Sequence, residues 1–280
     1  MNTVFQWPGN LLLVNNSENI LRDHIIYPFA YDEMACKKVG LGQTPMIHVW
    51  RHHKGFVLGM RDWKLPYSKQ AVDWLKQQGY DVMVRHSGGA AVPLDAGVLN
   101  ISIILPKPVG EINIHHDFEI MYQCMKNTMR DFSQHINKGE VVGSYCPGDY
   151  DLSIDGFKFC GIAQRRQTKS FIVHAFVVIE GSGSDRAALV RDFYNIASGD
   201  IQIEESKRAF NQVKQLEYPQ VVPTSTASLS ELTKLTSVQD FVNHLKKYIS
   251  SEANIFEHSG IEMNSEIKEM MNRIESRYKE

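Results

Sequence analysis

A chain of 280 residues, 43% of them hydrophobic, is long enough for one large core or for one domain with a smaller appendage. Thirty Lys and Arg against 32 Asp and Glu give a formal charge of -2, which excludes the general basic field of a nucleic-acid binder. Four cysteines without a CxxC pair or zinc spacing, no apolar run near 18 residues and no basic-then-apolar leader in MNTVFQWPGN predict a cytoplasmic chain with reduced thiols, no metal and no membrane contact.

Residues 1 to about 28 show little periodicity beyond Leu11-Leu12-Leu13-Val14 and read as an irregular lead-in. Ala30, Met34, Ala35 and Lys38-Val39 predict a short amphipathic helix that closes at Gly40. Residues 46–50 and 56–60 predict two strands, with His53-Lys54-Gly55 available for a turn between them. Ser68 reads as the N-cap of a helix through Ala71, Val72 and Leu75 that stops at Gly79. Apolar segments at 82–84, 90–92 and 98–105 follow too closely for crossover helices, so mixed and mostly antiparallel sheets are expected. Asp117 opens a helix with Phe118, Met121, Cys124, Met125, Thr128 and Phe132 on one face, where Cys124 and the methionines read as core.

Beyond a central hairpin taken up below, residues 171–179 predict a strand, and Ser184 caps a helix bearing Leu189, Val190, Phe193 and Tyr194. Composition then changes: 201–220 is polar and charged, and 221–228 is a loop of Pro, Ser and Thr. Ser237 starts a helix with Val238, Phe241, Val242, Leu245, Tyr248 and Ile249, and a last helix covers roughly 262–278, its alternating charges reading as a solvated face. The organisation expected is a lead-in (1–28), an α+β domain with sheets flanked by helices (29–200) and a helical C-terminal extension (201–280).

The stretch GSYCPGDYDLSIDGFKFCGIAQRR, residues 143–166, contains Asp155-Gly156, a type I′ turn dipeptide between two alternating runs. A regular two-residue hairpin pairs Ile154 with Phe157, Ser153 with Lys158, Leu152 with Phe159 and Asp151 with Cys160. Leu152, Ile154, Phe157 and Phe159 then share the core face, and Asp151, Ser153, Lys158 and Cys160 take the other. Pro147-Gly148 can hold Cys146 clear of the strand, and Lys158 is a candidate cation to activate that thiol. Spacing alone also fits a buried cysteine and a surface lysine.

A second stretch, VRHSGGAAVPLDAGVLNIS (84–102), places Gly88-Gly89 where a backbone can approach a ligand, yet it lacks the P-loop and dinucleotide patterns. By themselves the glycines fit a turn as well as a site, and Arg85 a surface ion pair as well as an anion clamp. The adjacent pairs His52-His53 and His115-His116 point in different directions on any regular element and make poor metal ligands.

Arg85-His86-Ser87-Gly88-Gly89-Ala90-Ala91-Val92, with Asp95, Gly97, Leu99, Asn100 and Ser102, resembles the signature loop of the biotin and lipoate protein ligase superfamily. The resemblance runs from Phe29-Ala30-Tyr31-Asp32-Glu33 through Leu58-Gly59 to the element from Asp155 to Gln164, about two-thirds of the chain. Within the superfamily, GSYCPGDYDLSIDG followed by KFCGIAQRR is most similar to the lipoyl or octanoyl amidotransferase group, the LipL type.

That resemblance implies a ligase-like catalytic domain. Its implied activity moves an octanoyl or lipoyl group from a lysine of the glycine-cleavage H protein to a lysine of E2 subunits of 2-oxoacid dehydrogenases. It further implies Cys146 as the thioester-forming nucleophile, Lys158 as the residue that ionises it and handles protons, and Arg85, Ser87, Gly88, Gly89, Asn100 and Gly161 as substrate-binding positions. His86 in place of a second arginine, Ala90 in place of a third glycine and Leu94 in place of a histidine argue against holding an acyl-adenylate, so transfer without ATP or another cofactor is expected. The alternatives are an octanoyltransferase that loads the H protein from octanoyl-acyl-carrier protein and a non-enzymatic acyl-protein-binding module. A monomer with transient partner contacts is expected.

Overall fold

The computed structural model describes residues 5–22, 24–85, 88–110, 113–199, 217–260 and 263–276. Most of the polar stretch expected from 201 onward, Ser87, and both ends of the last expected helix lie outside these residues.

Among the described residues, the larger of two sheets has eight strands: β1 (Asn10–Leu21), β2 (Met46–His52), β6 (Val98–Pro106), β7 (Asn137–Lys138), β8 (Leu152–Ile154), β9 (Phe157–Arg166), β10 (Ser170–Val178) and β11 (Asn254–Ser259). Their spatial order is β11-β1-β2-β6-β10-β9-β8-β7, parallel only at β11-β1 and β1-β2. A smaller sheet holds β3 (Lys54–Leu58) between β4 (Asp81–Val84) and β5 (Val92–Asp95). The turn expected between β2 and β3 therefore carries the chain from one sheet to the other. Among the described residues the α-helices are α1 (Ile26–Gly40), α2 (Met60–Trp63), α3 (Ser68–Gln77), α4 (Ile114–Thr128), α5 (Gly183–Ser198), α6 (Leu229–Leu232), α7 (Val238–Glu252) and α8 (Ser265–Ser276). The α+β class with mixed, mostly antiparallel sheets is thus as expected.

Strand alternation divides the packing. On one face of the large sheet Leu99, Ile101 and Ile103 of β6 and Val173, Ala175 and Val177 of β10 pack against α4 and α7, with Cys124 fully buried among them. Burial pushes that thiol up to about 12, which makes it inert. On the other face Val98, Phe176 and Val178 meet the small sheet, α3 and α5, while α1 covers Ile104 and Ile172.

The expected lead-in is in fact strand β1. Its pattern is hidden because Asn15, Asn16 and Ser17 are buried as pairs: Ser17 Oγ donates to Asn15 Oδ1 at 2.7 Å, and Asn16 Nδ2 lies 3.2 Å from His48 Nε2. The C-terminal stretch likewise contributes β11, hydrogen-bonded in parallel to β1, besides its helices. In α8 one face is buried through Ile267 and Ile274, so its charges occupy only the remainder.

Three expected caps shift by a few residues. Ser68 lies inside the first turn of α3 and donates to the Trp63 carbonyl; Asn113 rather than Asp117 caps α4; Ser182 rather than Ser184 caps α5. Ser237 caps α7 as expected, its hydroxyl accepting from Asp240 N at 3.1 Å.

Candidate active site

The hairpin turn forms as read: Asp155 and Gly156 both have positive φ (51° and 85°), as a type I′ turn requires. Ile154 faces Phe157 and Ser153 faces Lys158, but Leu152 then faces Cys160, so Phe159 is an extra residue in β9. This bulge corrects the lower half of the expected register. Cys160 leaves the Lys158 side and joins Phe159, Leu152 and Ile154 in the core, where burial pushes its thiol far up. Phe157 is partly exposed at the turn.

Lys158 is fully buried, because the segment after residue 220 runs along β9: Thr226 bridges Lys158, and Ala227 N donates to the Lys158 carbonyl at 3.0 Å. A buried ammonium must spend all three of its N–H bonds, and this one does. Nζ donates to the carbonyls of Tyr145 (2.8 Å) and Cys146 (2.7 Å) and to Asp151 Oδ1 (2.9 Å). Burial pushes the Asp151 carboxyl up, and the Lys158 charge opposes that shift. Asp151 Oδ2 accepts from Gly148 N at 3.2 Å, which ties the loop after Cys146 back to the hairpin. Sequence reasoning put Asp151 on the right face and gave it no task; the adjacent acid at 149 and the regular register obscured it.

Cys146 adopts a left-handed backbone, φ 47°, rare for a side chain with a Cβ. The Lys158 ammonium clamped on the carbonyls of Tyr145 and Cys146 holds that conformation. It presents Sγ to the glycine loop, where Arg85 Nη2 donates at 3.1 Å and Ala90 N at 3.3 Å. Arg85 Nη2 also donates to the Ala90 carbonyl at 2.7 Å. Gly89, at φ 106°, makes this contact possible: a Cβ there would lie 2.0 Å from Arg85 Nη2 and 3.0 Å from Cys146 Sγ. Behind the loop, Tyr194 accepts from Ala91 N and donates to Asp62 Oδ1, and Asp62 Oδ2 accepts from Gly59 N. Burial pushes both the Asp62 carboxyl and the Tyr194 hydroxyl up.

Between the two sheets lies a cavity of about 250 Å³. Arg85, Gly88, Gly89 and Cys146 line it together with the apolar Trp50, Val57, Val92, Leu94 and Phe176 and the polar Ser102 and His174. Asn100 and Gly161 also line it, so every described residue expected to bind substrate borders this space. Lys158 sits behind the Cys146 loop rather than on the cavity wall. Val92, where β5 begins, and Ile101 of β6 also border the cavity. Gly161 is required by a neighbour, since a Cβ would lie 2.4 Å from the Phe176 ring paired with it across β9 and β10.

Sequence reasoning missed the polar part of the lining. Asp32, at the base of a buried network, accepts from Ser102 Oγ at 2.5 Å and lies 2.7 Å from His48 Nδ1, while Ser102 Oγ lies 3.0 Å from His174 Nδ1. The available signal was Asn100 and Ser102 at alternate positions of an otherwise apolar strand. Among the described residues no group of His, Cys, Asp and Glu could hold a metal ion, and no helix is long and apolar enough to cross a membrane.

A cysteine positioned by a strained turn, beside a guanidinium and on the wall of a largely apolar cavity, is an arrangement for acyl capture. The chain is 47% identical over 208 residues (74% of this chain, 71% of the relative) to the octanoyl-[GcvH]:protein N-octanoyltransferase of Lysinibacillus sphaericus. It is 41% identical over 210 residues (75% and 72%) to the lipoyl-[GcvH]:protein N-lipoyltransferase of Listeria monocytogenes. In fold it is similar to a lipoate-protein ligase A bound with ATP (TM-score 0.68, 18% identity, 97% and 96% of the chains covered). A T. acidophilum lipoate protein ligase with bound lipoic acid superposes comparably (TM-score 0.67, 17% identity, 97% of each chain). Residues 24–250 match the lipoyl protein ligase A/B catalytic domain, and the chain belongs to that family.

Proposed function

We propose that this chain is an amidotransferase that moves an octanoyl or lipoyl group from a lysine of the glycine-cleavage H protein to a lysine of E2 lipoyl domains, without ATP. The observation that carries this reading is Cys146, held in a left-handed turn on the wall of the cavity with two hydrogen-bond donors aimed at its sulfur. A ligase acting on an acyl-adenylate has no need of such a thiol, because its acyl group is already activated. The names of the relatives specify the octanoyl or lipoyl cargo and the H-protein donor.

Exchange of one lysine amide for another is nearly balanced in free energy, so the catalytic task is kinetic. The Cys146 thiolate attacks the acyl-lysine carbonyl, the S–C bond forms and the C–N bond breaks. The departing amine takes a proton from Lys158, one of whose three hydrogen bonds must open for that step. The acceptor amine then attacks the thioester, Lys158 recovers its proton and the thiolate leaves. The acyl chain lies between the two sheets, against Val57, Val92 and Phe176.

The test mixes octanoylated H protein with an unmodified E2 lipoyl domain, without nucleotide, and follows the mass of both carriers. The octanoyl increment should leave one and appear on the other. Dependence on ATP and free octanoate, or transfer only from octanoyl-acyl-carrier protein, would overturn the reading. A second outcome concerns the cavity: Gly161→Ala must push the Phe176 ring aside and is expected to lower kcat/KM by about 10²-fold, read in the same assay.

A further inference from the structure

We propose that Arg85, and not Lys158, is the cation that stabilises the Cys146 thiolate. The inference rests on Cys146 being the nucleophile and separates two tasks that a cysteine-lysine pair would combine. Three observations carry it. First, the Lys158 ammonium is consumed: two carbonyl oxygens and Asp151 take its three N–H bonds, and the Asp151 carboxylate neutralises its charge at 2.9 Å. Secondly, the guanidinium touches the sulfur directly. Arg85 Nη2 donates to Sγ at 3.1 Å with both residues buried, a setting in which a charge-assisted hydrogen bond to an anion is strong. Thirdly, Arg85 has no carboxylate within ion-pair distance among the described residues, and its Nε has no hydrogen-bond partner there, so its charge is available to an anion in the cavity.

The surroundings are built to keep that contact. Gly89 leaves the space the guanidinium occupies, and the Tyr194–Asp62–Gly59 chain fixes the loop whose Ala90 N–H is the second donor to sulfur. Among the described residues, the titratable and charged groups around Sγ are Arg85, then Asp62, whose carboxylate also feels the Arg85 charge, and Tyr194 behind the glycine loop, and Tyr145 and the Lys158–Asp151 pair behind the Cys146 loop. Of these, Arg85 alone donates a charged hydrogen bond to the sulfur. When Sγ attacks, the same two donors lie beside the developing oxyanion. Lys158 keeps the other tasks, holding the loop and passing the proton.

The experiment is site-resolved alkylation of Cys146 by iodoacetamide, followed by mass spectrometry of the free protein across pH 6 to 10 (roughly the range that brackets a thiol). Arg85→Met should react about tenfold more slowly than wild type near neutral pH, with the deficit closing as pH rises. Arg85→Gln, which keeps a donor without charge, gives the same reading if the methionine variant does not fold by circular dichroism. An unchanged rate in the folded Arg85 variant overturns the proposal. The assay uses no acyl donor, so it is independent of whether the donor is the H protein.

Discussion

Cys146→Ala is expected to lower kcat/KM for octanoyl transfer by about 10⁴-fold or more, with the protein still folded. The size follows from the absence of a substitute among the other thiols. Cys160 and Cys124 lie in the core beneath the large sheet, and Cys36 is buried against Ser170, its thiol pushed up to about 12 by burial. Cys146→Ser should be nearly as damaging. Both groups in contact with the sulfur, Arg85 Nη2 and Ala90 N, are donors, and neither can remove a proton from a hydroxyl. Steady-state rates of the three proteins with octanoylated H protein and a lipoyl domain check this, and retention of more than about a hundredth of the wild-type rate by the alanine variant would refute it.

Removing one member of the buried ion pair should have the largest effect on stability. Asp151→Ala leaves a fully buried ammonium without its counter-charge, and Lys158→Met leaves a buried carboxylate and two carbonyls without a donor. Either change is expected to cost about 3–5 kcal/mol, because a charge left uncompensated in the interior carries its full desolvation penalty. Asp151→Ala/Lys158→Met should cost less than the sum of the two, since no charge is then stranded. It should still be inactive, because no proton donor remains behind the Cys146 loop. Urea unfolding of the four proteins measures the coupling; strict additivity, or single costs below about 1 kcal/mol, would show that the pair does not act as a unit.

Much of this site was legible in the sequence, and the part that was not depends on local departures from regular geometry. Asp155-Gly156 specifies its turn chemically, so the hairpin and the Ser153–Lys158 pairing could be read directly. The bulge at Phe159 could not, since nothing in the alternation of Phe157, Phe159 and their partners marks an extra residue. That slip is why Cys160 belongs to the core. Burial of Lys158 was illegible for another reason: it depends on Thr226 and Ala227, almost 70 positions away in the chain. A surface lysine was the natural reading without that segment.

Strand β1 failed by the opposite route. Its Asn15, Asn16 and Ser17 leave the stretch without a periodic apolar pattern, and they are buried because side chains of β1, β2 and β11 satisfy one another across the sheet. The site residues converged because the resemblance named them, while their division of labour came from distances. Arg85 was expected to line the acyl chain's path; it does border the cavity, and it also bonds the sulfur. Asp151 became visible only as the third partner of Lys158.

The central claim is an acyl group carried on Cys146, and intact-protein mass spectrometry addresses it most directly. Wild type and Cys146→Ala are mixed with octanoylated H protein, without acceptor or nucleotide, and quenched in acid. The account predicts one octanoyl increment on wild type alone, lost on treatment with hydroxylamine, as a thioester requires. No increment on wild type, or one that persists in Cys146→Ala, would contradict it.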